Sequence, residues 1–107
     1  GLLNLTRLDA DVSYSIDALP EPSPIFQTIQ REGGVETAEM FRVFNMGIGF
    51  CAVVPEADVE TAIRAVASTG GTAAPIGRVV AGPERAVFVP QFNLVSEQDH
   101  FVEGTGT

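Results

Sequence analysis

The sequence predicts an α/β (α+β) fold in which helices pack against a mixed sheet. Segments with helical periodicity alternate with short apolar runs, and stretches rich in proline or glycine separate them. The chain has 107 residues, of which 45% are hydrophobic and 19% charged. This composition suits a single domain over residues 1–107 with one hydrophobic core.

Four segments have the periodicity of amphipathic helices: residues 1–8, 24–33, 35–44 and 56–69. In the first, the spacing of Leu2, Leu5 and Leu8 keeps one face apolar. In the second, Ser23 is a good N-cap and Pro24 suits the first helical position.

Two of these helices have a predicted buried face. In the third segment, Met40, Phe41 and Phe44 lie at helical spacing, which indicates core positions. In the fourth, the predicted buried stripe consists of Val59, Ala62, Ile63, Val66 and Ala67.

Four segments are predicted strands: residues 12–16, 48–54, 73–80 and 86–89. The second is apolar throughout apart from Gly49, which is typical of a central strand covered on both faces. The third contains Pro75, which favours an edge or bulged strand, and the fourth is its expected hairpin partner after a turn at Gly82-Pro83-Glu84. Residues 48–80 then form a right-handed βαβ unit.

The two ends of the sequence carry their own predictions. Residues 98–107 are expected to form a frayed tail, loosest at Gly104-Thr105-Gly106-Thr107. The chain has no initiator methionine and opens on an apolar, helix-like segment, which suggests a fragment or a processed chain.

Charge and residue counts exclude several classes of function. Six arginines, no lysine and fourteen acids give a net charge of -8, which argues against nucleic acid as a partner. Without lysine there is no P-loop lysine, Schiff-base lysine or lysine nucleophile in this sequence. No apolar stretch approaches the roughly 20 residues of a membrane span, so no membrane partner is expected.

Cysteine and histidine offer little chemistry. Cys51 cannot form an internal disulfide, which fits a reducing, cytoplasmic compartment, and its apolar surroundings favour a core residue over a reactive thiol. His100 is interpreted as structural or solvated. One histidine and one cysteine far apart predict no metal site. Glu56, Asp58 and Glu60 are most simply a solvated first helical turn.

The run Phe44-Asn45-Met46-Gly47-Ile48-Gly49 is the strongest candidate site. Gly47 and Gly49 allow close backbone approach to a ligand, and the Asn45 amide can meet a substrate. The same pattern also fits a tight turn after a helix, with Asn45 bonding to local backbone.

Gly1 and two arginines are further candidates. A glycine at a helix start leaves free amides that can face an anion, although a glycine there can equally be without significance. Arg7 and Arg42 can pair with phosphate or carboxylate, or can form ordinary surface ion pairs.

Taken together, several motifs resemble the C-terminal domain of phosphoribosylformylglycinamidine cyclo-ligase, also called aminoimidazole ribonucleotide synthetase. The motifs are Gly1-Leu2-Leu3-Asn4-Leu5-Thr6-Arg7, Pro24-Ile25-Phe26, Glu39-Met40-Phe41-Arg42 with the following run to Gly49, Val53-Val54-Pro55, and Ile76-Gly77-Arg78-Val79-Val80. The resemblance covers about residues 1 to 90. It departs where Thr6 replaces the family's usual proline, and where most of a glycine-rich loop before Gly1 is absent.

The resemblance implies a role in de novo purine biosynthesis. The family's enzymes use ATP, with magnesium, to close the imidazole ring of aminoimidazole ribonucleotide from formylglycinamidine ribonucleotide. It implies an N-terminal ATP-binding domain as partner, a homodimer in the complete enzyme, and no cofactor on this chain by itself, which is expected to be inactive alone. Catalytic residues are not identified. The expected contacts to the phosphoribosyl substrate are Gly1, Asn4, Arg7, Asn45, Gly47 and Gly49.

Two other interpretations stay open. The chain can be a stand-alone small-ligand or interaction module, since one α/β fold hosts many functions. It can also belong to a related kinase or synthetase, such as thiamine monophosphate kinase, selenophosphate synthetase or the hydrogenase maturation factor; the Phe-Asn-x-Gly-x-Gly run favours the cyclo-ligase.

Overall fold

The computed structural model describes residues 1–7, 10–82 and 84–104, which form a mixed sheet with helices. The strands are β1 (Val12–Ser15), β2 (Arg78–Ala81), β3 (Val87–Val89), β4 (Leu94–Glu97) and β5 (His100–Glu103). The α-helices are α1 (Pro24–Gly33), α2 (Thr37–Val43) and α3 (Val59–Ala67). The 3₁₀ helices are Leu2–Arg7, Glu56–Asp58 and Pro90–Phe92. The predicted fold class, a mixed sheet packed by helices, is confirmed.

The sheet has the order β2-β1-β3-β4-β5, with β1 inside it. β1 pairs antiparallel with β2 and parallel with β3, while β3, β4 and β5 pair antiparallel in sequence order. The single parallel pair among these ladders makes the sheet mixed. Because β2 and β3 both follow α3 in the sequence, β1 obtains both of its neighbours from the second half of the chain.

Ser13 joins β1 to the loop before β3. Its side chain is fully buried, and its hydroxyl accepts a hydrogen bond from the Ala86 amide at 3.1 Å and donates to the Gly82 carbonyl at 3.3 Å. A buried hydroxyl that both donates and accepts is satisfied, so Ser13 stabilises this join without leaving an unpaired polar atom.

The core lies between the sheet, α2 and the first 3₁₀ helix. Met40 and Phe41 of α2 are 0% and 2% exposed, as their helical spacing predicts. The Phe41 ring lies 6.2 Å from that of Phe101 on β5 and 5.3 Å from that of Phe92. These ring distances are typical of favourable aromatic pairs, so α2 is fixed against the C-terminal strands.

The first two predicted helices are present with small differences. α1 begins at Pro24 and ends before Gly34, which has the left-handed conformation (φ 62°) of a helix C-cap. Ser23 holds the N-cap position without a side-chain hydrogen bond. The segment predicted over residues 1–8 is a 3₁₀ helix over Leu2–Arg7, and Leu8 lies outside the described residues.

The predicted central strand over residues 48–54 and the βαβ unit built on it are wrong. Residues 48–54 have no strand assignment, and Phe50 is 90% exposed. α3 buries none of its residues, and its main contacts are with the 3₁₀ turn that precedes it. An apolar run becomes a buried strand only when other strands pair with it, and here the segment only packs Ile48 and Cys51 against the edge of the core.

The predicted hairpin between residues 73–80 and 86–89 is also wrong. The strand at the end of the first segment is β2 (Arg78–Ala81), which lies at the edge of the sheet, as Pro75 led us to expect, but its partner is β1. β3 pairs with β1 and β4 instead. β1 therefore lies between the two segments that were expected to pair. Pro83, in the predicted turn, lies outside the described residues.

The C-terminal segment differs from the predicted frayed tail over residues 98–107. β5 (His100–Glu103) pairs along its length with β4, and Phe101 is buried. The Gly104 amide donates to the Asn93 carbonyl at 2.8 Å. The alternation of apolar and polar residues around Phe101 is short. Burial of the Phe101 side chain under α2 stabilises β5. Residues 105–107 lie outside the described part of the chain.

Candidate functional site

The run from Asn45 to Ile48 forms a tight turn after α2. The Ile48 amide donates to the Asn45 carbonyl at 3.0 Å, and Met46 and Gly47 between them have φ angles of 52° and 93°. The Asn45 side-chain oxygen accepts a hydrogen bond from the Gly47 amide at 2.8 Å. Asn45 therefore holds the local backbone, as the turn interpretation predicts, and the residue is exposed.

Met46 is the strained residue of this turn. A left-handed conformation is unusual for a side chain of this type, and Met46 adopts it while its side chain is only 7% exposed. Burial of the methionine stabilises a backbone conformation that the residue avoids on its own. The turn is thus anchored to the core and presents its backbone in a fixed geometry.

Gly1 lies directly against this turn. A Cβ atom placed on Gly1 would be 3.0 Å from the Phe44 carbonyl oxygen and 3.6 Å from the Asn45 Cα. A larger residue would push the two backbones apart, so a glycine at this position permits the contact. Two segments more than forty residues apart in the sequence meet here.

Their meeting forms a concave site of about 480 Å³, which we call the glycine-turn pocket. Its lining includes Gly1, Asn4, Leu5, Asn45, Gly49 and Cys51. Four of the six predicted substrate contacts are among them. Gly47 is not among the lining residues, and its contribution is to the turn geometry.

A second concave site of about 250 Å³, which we call the arginine pocket, adjoins the first. Its polar lining residues are Asn4, Thr6, Arg7, Arg42, Gln98 and Asp99. Gly1 and Asn4 line both pockets, so the two lie side by side at the first 3₁₀ helix. Sequence reasoning missed Gln98 and Asp99 because these residues belong to the segment predicted to be frayed.

Comparison with known proteins identifies the domain. The family model described as AIR synthase related protein, C-terminal domain, matches residues 3–90. The chain belongs to this family. The resemblance inferred from the sequence motifs is therefore confirmed.

Three relatives that match the chain are each named phosphoribosylformylglycinamidine cyclo-ligase. The protein from Methanothermobacter thermautotrophicus is 53% identical over 79 residues, which are 74% of this chain and 22% of the relative. The protein from Methanocaldococcus jannaschii is 54% identical over 76 residues, 71% of this chain and 22% of the relative. The protein from Methanopyrus kandleri is 44% identical over 66 residues, 62% of this chain and 19% of the relative.

Each match therefore spans only about a fifth of the relative's length. No solved structure gives a significant match to the chain.

Three titratable groups in or beside the two pockets have shifted pKa values. Hydrogen bonds from Arg42 at 2.6 to 3.1 Å lower the pKa of Glu39, and the same contacts raise the pKa of Arg42. Burial raises the pKa of the Cys51 thiol, which disfavours the thiolate. Cys51 is a partly buried lining residue of the glycine-turn pocket.

Neither a metal-binding cluster nor a membrane-spanning helix is found among the described residues. In residues 1–7, 10–82 and 84–104, no group of three or more His, Cys, Asp or Glu side chains can hold a metal ion. No helix in the same residues is long and apolar enough to cross a membrane.

Proposed function

We propose that this chain is the C-terminal domain of an ATP-dependent phosphoribosylformylglycinamidine cyclo-ligase and forms one wall of its substrate cleft. In this proposal, a longer enzyme converts formylglycinamidine ribonucleotide to aminoimidazole ribonucleotide in the cytoplasm. The observation that carries it is the contact between the Gly1–Arg7 segment and the Asn45–Gly49 turn, which together line the glycine-turn pocket. The names of the archaeal relatives give the reaction.

In residues 1–7, 10–82 and 84–104, no group of three or more His, Cys, Asp or Glu side chains is placed to hold a magnesium ion. In this proposal the ATP and magnesium contacts belong to an N-terminal domain, whose paired copies form the dimer. This chain by itself is expected to show no ATP turnover, and measurable turnover by the pure 107-residue protein would contradict that assignment.

The chemistry left to this chain is binding and orientation. The side-chain amides of Asn4 and Asn45 can hydrogen-bond polar substrate atoms, and the Gly49 backbone allows a ligand to approach closely. A fixed turn beside the reacting groups reduces the entropy lost when they are brought into alignment. These residues therefore act by binding and positioning the substrate.

A chimeric enzyme tests the proposal. The matched 79-residue segment of the Methanothermobacter thermautotrophicus cyclo-ligase is replaced by the matched residues of this chain, and formation of aminoimidazole ribonucleotide is measured. We expect ATP-dependent product formation. A chimera that folds and dimerises like its parent but forms no product would count against the proposal.

Two variants of the chimera locate the cleft. Gly49→Leu places a large side chain in the glycine-turn pocket and is expected to raise KM strongly, since Gly49 lines that pocket. Gly71→Leu, on the loop after α3, is the matched control because Gly71 lines neither pocket. Equal effects of the two changes on KM would show that the substrate binds elsewhere.

The two alternative interpretations have less support. The three relatives compared above are all named cyclo-ligases, and none is named as a kinase, a selenophosphate synthetase or a stand-alone binding module. Binding of the substrates of those related enzymes to the chimera, in preference to formylglycinamidine ribonucleotide, would favour the alternatives.

A further inference from the structure

One segment of the chain is strand-like in sequence and unpaired in the structure. Residues 49–54, which we call the open segment, carry no charge and are apolar apart from Gly49. Within residues 1–7, 10–82 and 84–104, none of their backbone amides or carbonyls forms a hydrogen bond. Phe50 and Val53 are 90% and 56% exposed. The open segment therefore presents both apolar side chains and free backbone donors and acceptors.

The open segment differs from the two outer strands of the sheet. β2 and β5 lie at the sheet edges and carry polar or charged residues, namely Arg78, His100 and Glu103. Charged side chains on an edge strand discourage pairing with another chain. The open segment has no such residue, so nothing in its sequence opposes the addition of a second strand.

The chain also has more surface than a compact protein of its size. Its accessible area is 7252 Å², whereas a folded monomer of this length has about 5,700 Å². The radius of gyration is 14.5 Å, compared with about 13 Å for a compact chain of this length. The surplus area of about 1,500 Å² exceeds the roughly 800 Å² that each partner buries in a standard interface. The uncovered surface is thus large enough for a stable interface.

We propose that the open segment is a self-association surface, along which two copies of this chain pair antiparallel about a two-fold axis. Each copy supplies the same free edge, so the pairing needs no second complementary surface. It covers Phe50 and Val53 and places no charged side chain within the paired residues. Gly49, Phe50 and Cys51 also line the glycine-turn pocket, so the second copy borders that pocket.

This contact is separate from a dimer formed by paired N-terminal domains, and it does not rest on the proposed function. The uncharged open segment offers a basic partner no ion pair, which favours a second copy as its occupant. Two chains of net charge -8 repel each other at long range, so the association is weak. We expect a dissociation constant on the order of 100 µM, which leaves the chain monomeric at about 1 µM.

Sedimentation velocity of the 107-residue chain from about 10 µM to about 1 mM tests the proposal. We expect a monomer–dimer equilibrium that shifts towards the dimer with concentration. Added salt is expected to strengthen the dimer, because it screens the repulsion between the two acidic chains. Hydrogen exchange at the amides of residues 50–54 is expected to slow about fourfold across this range, whereas the paired amides of β1 stay unchanged.

Two variants and a matched control make the test specific. Phe50→Glu and Val53→Glu each place a carboxylate in the paired segment and are expected to weaken dimerisation at least about tenfold. Ile25→Glu adds the same charge on α1, at a residue that is 58% exposed, and is expected to weaken it less than about twofold. All three residues are exposed, so the circular dichroism of the monomers is expected to stay unchanged.

Four results would overturn the proposal. The first is a chain that stays monomeric at about 1 mM, and the second is equal weakening by Ile25→Glu. The third is an association that salt weakens, which would indicate a contact between opposite charges. The fourth is protection of residues 50–54 that does not depend on concentration, which would show that the chain itself covers them. An inactive chimeric cyclo-ligase would count against the proposed function and leave this proposal in place.

Discussion

α2 and α3 are both short amphipathic helices, yet they differ completely in burial. α2 buries Met40 and Phe41 against β5 and the first 3₁₀ helix. α3 buries no residue, and Val66 on its apolar stripe is 38% exposed. Periodicity therefore predicts that a segment is helical and which face is apolar, whereas burial depends on whether other elements reach that face.

The largest expected contrast in stability is between Phe41 of α2 and Phe50, which lies in the segment between α2 and α3. Phe41→Ala is expected to lower the free energy of unfolding by about 3–5 kcal/mol, because Phe41 is 2% exposed and packs against two other rings. Phe50→Ala, the same change at a residue that is 90% exposed, is expected to change it by less than about 0.5 kcal/mol. Urea denaturation of both variants measures the contrast. Similar losses would mean that the segment around Phe50 is packed in solution.

A second contrast uses two serine hydroxyls. Ser13→Ala removes the buried hydroxyl between the Ala86 amide and the Gly82 carbonyl and is expected to cost about 1–3 kcal/mol of stability. Ser68→Ala, after α3, removes an exposed hydrogen bond to the Ala65 carbonyl and is expected to cost much less. Thermal unfolding followed by circular dichroism compares the two. A larger loss for Ser68→Ala than for Ser13→Ala would show that the hydroxyl after α3 contributes more to stability than the buried hydroxyl of β1.

The turn between α2 and α3 supplies the third contrast, which compares Gly47 with Gly49. Gly47→Ala is expected to destabilise the protein by about 1 kcal/mol, because Gly47 has φ 93° and an alanine is strained there. Gly49→Ala is expected to be close to neutral for stability, since Gly49 lacks a positive φ and a Cβ would meet no atom within 4 Å. Chemical denaturation distinguishes them, and equal stabilities would show that the turn relaxes on substitution.

The smallest expected effect is electrostatic and concerns α2. Arg42→Gln is expected to raise the pKa of Glu39 towards its ordinary value, because the hydrogen bonds that lower it are lost. In the unchanged protein, the lowered pKa means that this contact stabilises the folded state above the ordinary Glu pKa. That contribution is lost as the pH falls through the lowered value. NMR titration of the Glu39 side chain measures the change, and an unaltered pKa would show that the pair is absent in solution.

The sequence predicted the local features of this protein well and the long-range pairing poorly. The start of α1 at Pro24, the strand at residues 12–16 and the burial of Met40 and Phe41 follow from short patterns of side-chain type. The partners of β1 do not, because insertion of β1 between β2 and β3 depends on contacts between distant segments. The apolar run at residues 48–54 carries a strand-like pattern that no hydrogen-bonding partner satisfies in the described residues.

The candidate site shows the same difference between local features, which were predicted, and long-range contacts, which were not. The glycine turn was visible as a motif, and Gly1, Asn4 and Arg7 were identified through resemblance to the family. The inclusion of Gln98 and Asp99 in the arginine pocket was not predictable, since it depends on the β4–β5 turn lying beside the first 3₁₀ helix. No short sequence pattern predicts that these two segments lie side by side.

The position of β1 inside the sheet also affects how the chain folds during synthesis. Both neighbours of β1 lie after residue 77, so a ribosome must add more than sixty residues beyond β1 before either edge can pair. Closing a loop of this length costs entropy before any pairing compensates, and folds dominated by such contacts form slowly. A nascent chain that stalls before Arg78 exposes both edges of β1, which makes that intermediate the stage most open to aggregation.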